Sequence, residues 1–205
     1  MIRQANLDDL KQLVKVHIAC FPDSFSTQLG EKLLTKMYTE YIVESPELFL
    51  LAEEEGKVIG FVMGYYFDSE DCLRRFRKKN QIKFFSKTLW LLLMRNKPAW
   101  KKINSIIHPG SGFITIDTSI NQYNKSEMAD LLSICVLSEY RGKGIANKLI
   151  DEYEKVLIEK NRLICTLTVA DINGRGISFY EKHGYTICRE AKGCKTYYKV
   201  LINGE

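Results

Sequence analysis

The stretch "LLSICVLSEYRGKGIANKLI", residues 131–150, constrains the fold of this chain more than any other. Its first part is a short apolar run that reads as a buried strand. Arg141, Gly142, Lys143 and Gly144 then interrupt it, and Ile145, Leu149 and Ile150 recur at helical spacing. Where a buried strand feeds a helix through glycines, the first helical N–H groups lack intrahelical partners and point outward, which suits an anion and phosphate above all. The glycines admit a bulky anion close to the backbone, and Arg141, Lys143 and Lys148 add positive charge. Two other phosphate patterns do not fit. Gly-x-Gly-x-x-Gly needs glycine where Asn147 stands, and the Gly-Lys-Ser/Thr ending of a P-loop is absent. The plain alternative is a glycine turn that only caps a helix.

The remainder supplies an α/β frame. "MIRQA" reads as a strand. Leu7, Leu10, Leu13, Val14, Ile18 and Phe21 form a helical stripe after Asn6 as N-cap, and a second helix fits Thr27 to Val43. "LFLLAEEEGKVIGFVMGYYF" predicts a hairpin turning at Gly56. Residues 70–107 read as mostly helical, followed by the loop "HPGSG". Then come a strand "EMADLLSICVL", a helix to about Lys160, a strand "RLICTLTVA", a short helix "NGRGISFYEKH", and strands "GYTIC" and "KTYYKVL". At 205 residues, 45% hydrophobic, the chain suits one domain over 1–205, interrupted by an insertion at about 70–125. No apolar run reaches the roughly eighteen residues of a membrane span, and "MIRQANLDDL" lacks the apolar core of a signal peptide, so a cytoplasmic protein is expected. The six cysteines include no Cys-x-x-Cys pair and are expected to be buried, reduced thiols rather than metal ligands or disulfides.

Charge is unevenly placed. Between Cys72 and Ile107 stand eleven lysines and arginines and no acid, so this +11 window leaves the rest of the chain at −6 within an overall +5. Within it "KFFSKTLWLLLMRNKPAWKK" mixes Trp90, Trp100 and apolar residues with lysines. Phe85, Leu89, Leu92 and Leu93 can pack on the domain or on a second subunit, or the segment can lie on an anionic membrane surface, or it can serve an acidic acceptor. Nucleic acid is not expected, since no reading motif accompanies the charge.

Arg141 to Ala146 spells Arg-x-x-Gly-x-Ala. Downstream, Asn173, Gly176, Phe179, Tyr180, Gly184 and Tyr185 follow a strand in the pattern Asn-x-x-small-x-x-Phe-Tyr-x-x-x-Gly-Tyr. This pair of motifs, at this separation, resembles the GNAT superfamily of acetyl-CoA-dependent N-acetyltransferases, and the order of the upstream elements matches too. The resemblance covers nearly all the chain outside residues 70–125. It implies a GNAT fold: a central mixed sheet of about six to seven strands flanked by helices, with the basic helical insertion between strands 3 and 4. It implies acetyl-CoA as co-substrate, no metal, and direct attack by an amine, most simply on a small molecule, with a protein amine or a non-catalytic CoA-binding module as alternatives.

The resemblance also implies roles. The pyrophosphate would sit on Arg141, Gly142, Lys143, Gly144, Ile145 and Ala146. The pantetheine arm would lie along the backbone of Ile134, Cys135 and Val136, with the Ile134 N–H polarising the acetyl carbonyl; Cys135 is not expected to be a nucleophile. Asn173 would bond the cofactor, cap the following helix, or both. Tyr180 would contact cofactor and protonate the leaving thiolate, a transfer that a phenol of pKa about 10 can make to a thiolate whose acid lies near 8.5; an ordinary core tyrosine is the alternative. Asp130 stands where several family members carry a glutamate that takes the amine proton through water. It is one methylene shorter, and Glu127 or no dedicated base remain open.

Overall fold

The computed structural model describes residues 1–100, 114–191 and 193–201. Its strands are β1 (Ile2–Gln4), β2 (Phe49–Glu54), β3 (Lys57–Tyr66), β4 (Ile114–Thr115), β5 (Met128–Val136), β6 (Ile164–Ala170), β7 (Thr186–Ala191) and β8 (Cys194–Val200). They form one sheet in the order β1-β2-β3-β5-β6-β8-β7-β4, antiparallel throughout except for β5 and β6. Eight strands replace the six to seven expected. The extra one, β4, pairs only Ile114 with Glu190 and Thr115 with Arg189, and two residues carry no legible periodicity.

Helices cover both faces. On one lie α1 (Leu10–Cys20) and α3 (Glu31–Glu44), whose Leu13, Val14, Leu34 and Tyr38 pack against Phe49, Phe61 and Met63 of the sheet. On the other lies α6 (Ile145–Glu159), and its Leu149, Ile150, Tyr153 and Leu157 are buried against β2, β3, β5 and β6. Tyr153 crosses to donate to the Asp130 carbonyl at 3.0 Å. Gly64 makes this possible, because a Cβ there would stand 1.8 Å from the Tyr153 hydroxyl oxygen and 2.1 Å from the Asp130 carbonyl oxygen. The β3–β5 register shifts beside Gly64, so β5 carries a bulge between Leu131 and Ser133.

The helix expected over Thr27–Val43 is two helices, α2 (Phe25–Leu29) and α3. Gly30 separates them with φ +91°, a conformation that ends one helix and starts the next from a different direction. The inserted segment supplies α4 (Cys72–Lys79) and α5 (Gln81–Leu93). Its basic charge is partly met from outside the window: Arg75 bonds Glu40 at 2.6 Å, Glu44 at 2.8 Å and Glu70 at 2.6 Å, and Lys79 reaches Glu40 at 3.0 Å. The apolar face of α5 differs from the expected one. Phe84, Thr88, Leu91 and Leu92 turn inward with Leu29, Leu33 and Phe76, whereas Phe85, Leu89 and Leu93 are exposed. An apolar stripe too wide for one face left the choice to packing. Among the described residues no helix is long and apolar enough to cross a membrane. The "HPGSG" loop, Lys101 and Lys102 lie outside the described residues.

Candidate active site

Parallel pairing of β5 with β6 stops after Asp130 opposite Thr166, and beyond that point the two strands diverge. The gap becomes a cleft of about 570 Å³ lined by Ile134, Cys135 and Val136 of β5, by Tyr140, Arg141, Gly142, Gly144, Ile145 and Ala146 of the loop and first turn of α6, and by Asn173, Phe179 and Tyr180 of α7 (Gly174–Lys182) and its N-cap. The two sequence motifs thus meet across one opening.

The β5 backbone is half engaged. The Leu137 N–H donates to Ile59 O on β3 at 2.9 Å, and by two-residue alternation Cys135 faces β3 as well. Ile134 and Val136 therefore turn their main-chain groups to the open side, where the Val136 carbonyl accepts from Arg141 Nε at 2.9 Å. Cys135 contributes its side chain to the cleft, not its main chain.

Gly142 (φ +79°) and Gly144 (φ +74°) hold the left-handed conformation that costs other residues about 1–2 kcal/mol. Gly144 is the N-cap of α6, and no atom lies within 4 Å of where a Cβ would stand at either glycine. The first-turn N–H groups of α6 thus face open space with the positive end of the helix dipole behind them. That is a cradle for an anion the size of a pyrophosphate. Lys143 stands back, with its ammonium 5.0 Å from the centroid of the Tyr140 ring, so the nearby cationic side chains lining the cleft are Arg141 and Arg175.

Asn173 caps α7: its Oδ1 accepts from the Gly176 N–H at 3.0 Å, and a Cβ at Gly176 would come within 2.5 Å of the Asn173 side chain. Tyr180, one turn on, is half-buried, and burial raises its phenol above the ordinary range, so it stays protonated. Asp130 does not line the cleft. It accepts from the Thr166 hydroxyl at 2.6 Å on the sheet face that holds Tyr65, and burial pushes its carboxyl up to about 6 against the lowering effect of that hydrogen bond. Glu127 lies outside, capping a turn with Asn124.

Several residues went unread in the sequence. Arg175 sits inside the second motif and was legible there. Cys20, the last residue of α1, carried no signal: half-buried on the cleft wall, its thiol is held below the ordinary range first by hydrogen bonding from the Cys135 thiol and then by Arg141, while Cys135 itself is pushed up by burial. Phe21, at the end of α1, lines this cleft and also a second cavity of about 420 Å³. That cavity is walled by α1, α2, α3, α4 and α5 and reaches Leu132 and Ser133 of the β5 bulge. At its inner end His17 bonds Tyr38 through Nδ1, and its Nε2 lies 3.3 and 3.1 Å from the Ser24 and Ser26 hydroxyls. Burial lowers the His17 imidazole to about 4, so it is neutral near pH 7.

Residues 93–187 match the family described as the acetyltransferase (GNAT) domain. Over 106 residues the chain is 29% identical to an uncharacterized N-acetyltransferase of Archaeoglobus fulgidus, covering 51% of this chain and 69% of that protein. Over 76 residues it is 36% identical to the spermidine N(1)-acetyltransferase of Thermoplasma acidophilum, covering 37% of this chain but only 44% of that one. The fold is similar to the PaiA N-acetyltransferase of Thermoplasma acidophilum in complex with coenzyme A, with a TM-score of 0.59 at 20% identity over 98% of both chains. The divergent β5 and β6, the left-handed glycines opening α6 and the paired motifs across the gap agree with these likenesses: residues 93–187 carry a GNAT acetyltransferase domain, and the chain as a whole has the GNAT fold.

Proposed function

We propose that the protein transfers an acetyl group from acetyl-CoA to a primary amine of a small molecule by direct attack. The observation that carries this reading is the continuity of one cleft from the glycine cradle before α6 to the open main-chain edge at Ile134. Acetyl-CoA supplies the activated thioester. The N–H groups at the start of α6, with Arg141 and Arg175, bind its phosphates, and Asn173 offers its amide nitrogen to the arm. Ile134 and Val136 add their free backbone groups as one more strand would. The Ile134 N–H is aimed to stabilise negative charge developing on the acetyl oxygen.

Acid and base roles follow from environment. The C–N bond forms as the C–S bond breaks, and Tyr180, protonated at every physiological pH, gives its proton to the departing sulfur. Asp130, ionised above about pH 6, takes the amine proton through water. The relatives named N-acetyltransferases in Archaeoglobus fulgidus and Thermoplasma acidophilum favour an enzyme over a module freed of catalysis.

The test is calorimetric titration with acetyl-CoA, followed by CoA release assayed over a panel of amines. Binding by the natural chain that disappears in Gly144→Glu is the expected result. A natural chain that binds no acetyl-CoA would end the proposal.

A further inference from the structure

The second cavity is built by parts of the chain that the two motifs do not touch, and its chemistry is one-sided. Phe25 and Leu29 of α2, Met37 of α3, Phe76 of α4 and Phe84 of α5 supply an apolar wall. No carboxylate lines it among the described residues, and the charged side chain at its mouth is Arg77. Besides Tyr38, Tyr41 and Thr88, its polar lining is the end next to β5, where His17 stands with Ser24 and Ser26 and where Ser133 belongs to the β5 bulge. That end adjoins the acetyl-CoA cleft through Phe21 and through the step from Ser133 to Ile134 along β5.

We propose that this cavity selects acceptor amines carried on a bulky apolar body and disfavours polyamines. The inference rests on the acetyltransferase reading of the neighbouring cleft and adds the class of acceptor. An amine seated this way puts its nitrogen among the hydroxyls beside Ile134 and its body against Phe76 and Phe84. The neutral His17 leaves that end free of a repelling charge. A second ammonium would lie among apolar walls with no counter-ion and with Arg77 ahead of it, and an unpaired buried charge is strongly unfavourable. The inserted helices therefore act as the specificity wall of the site, which gives α4 and α5 a role without recourse to a membrane or a second subunit. Spermidine, for which one relative is named, would be a poor acceptor here.

The experiment compares 2-phenylethylamine and n-octylamine with spermidine, by CoA release and by calorimetric titration of each amine with and without CoA. Apolar amines should exceed spermidine in kcat/KM by about tenfold or more, the scale of discrimination that apolar pockets reach. Phe84→Ala should lower kcat/KM for the apolar amines by roughly tenfold and leave acetyl-CoA affinity unchanged. Leu73→Glu, at a position 38% exposed and so tolerant of charge, should narrow the preference toward spermidine. Spermidine outperforming the apolar amines would overturn the inference while leaving the acetyltransferase reading intact. Failure to bind acetyl-CoA would remove that reading, and amine titration of the free protein would still decide for or against the pocket. If neither apolar amine binds, the pocket assignment is wrong.

Discussion

The two cavities that meet at Phe21 are made from different material. The cleft beside β5 is mostly backbone: left-handed glycines, first-turn N–H groups of α6, and the strand edge left open where β6 departs. The apolar cavity is drawn from five helices and their caps between His17 and Thr88, with Met63 of β3 and the β5 bulge. A backbone site demands particular residues at a few consecutive positions, because only glycine takes the required φ without strain. A side-chain pocket demands only bulk and polarity, which many sequences satisfy. The first kind recognises a constant partner, and the second can change with the acceptor.

Variants separate the two regions. The largest effect is expected from Tyr180→Phe, which removes the proposed proton donor at the cleft. Turnover should fall by roughly 10²–10⁴ with acetyl-CoA affinity kept, the range for loss of general acid catalysis. Rate constants at saturating substrates decide it, and an unchanged kcat would reduce Tyr180 to a packing residue. Next is Gly144→Glu, which strains the helix start and places a carboxylate where the phosphates bind. Acetyl-CoA should bind about 100-fold more weakly, some 2.7 kcal/mol. Calorimetry should show amine binding in the other cavity untouched, and loss of both would mean that the cavities are not independent.

Asp130 lines neither cavity and gives a two-sided test. Its folded carboxyl titrates at about 6 against 3.8 for the free group, so the folded state holds a proton between those values that the unfolded chain has released. Its ionisation therefore costs stability as pH rises from about 4 to 6, and the cost persists at neutral pH. Asp130→Asn should stabilise the protein at pH 7.5 by up to roughly 3 kcal/mol, and the gain should vanish near pH 4. The same change should remove the rise in kcat/KM through pH 6. Denaturant melts and pH–rate profiles read both, and full activity from pH 6 to 9 would discard Asp130 as the base. The smallest effect concerns Cys20. Alkylation at pH 7.5 should reach it several-fold faster than the fully buried Cys165, whose thiol burial raises, and acetyl-CoA should protect it. Peptide mapping after a short exposure to iodoacetamide shows whether that order holds.

Much of this is legible in the sequence. The strand–loop–helix at 131–150 and the motif from Asn173 to Tyr185 announced fold and cleft together, because each residue there answers a local backbone demand. Arg175 could have been read from the same motif. The break at Gly30 was open to reading too, yet the apolar stripe across it suggested one continuous helix. Which face of α5 packs inward was not readable, since Phe84, Phe85, Leu89, Leu91 and Leu92 offer more apolar surface than one face can bury, and contact with Leu33 and Phe76 made the choice. The pairing of Arg75 with Glu40 and Glu44, and of Cys20 with Cys135, joins residues more than thirty positions apart.

By itself the sequence determined the parts of this protein that depend on chain conformation: where glycine must stand, where a helix begins with unpaired N–H groups, and which strand precedes it. Tertiary structure alone decided how far β6 leaves β5, which residues wall the second cavity, and how deeply Asp130 and His17 are buried. The physical reason is range. Backbone torsions and helix starts are governed by neighbours within a few residues, whereas burial, and the proton affinities that follow from it, are set by whatever side chains the whole fold brings to one place.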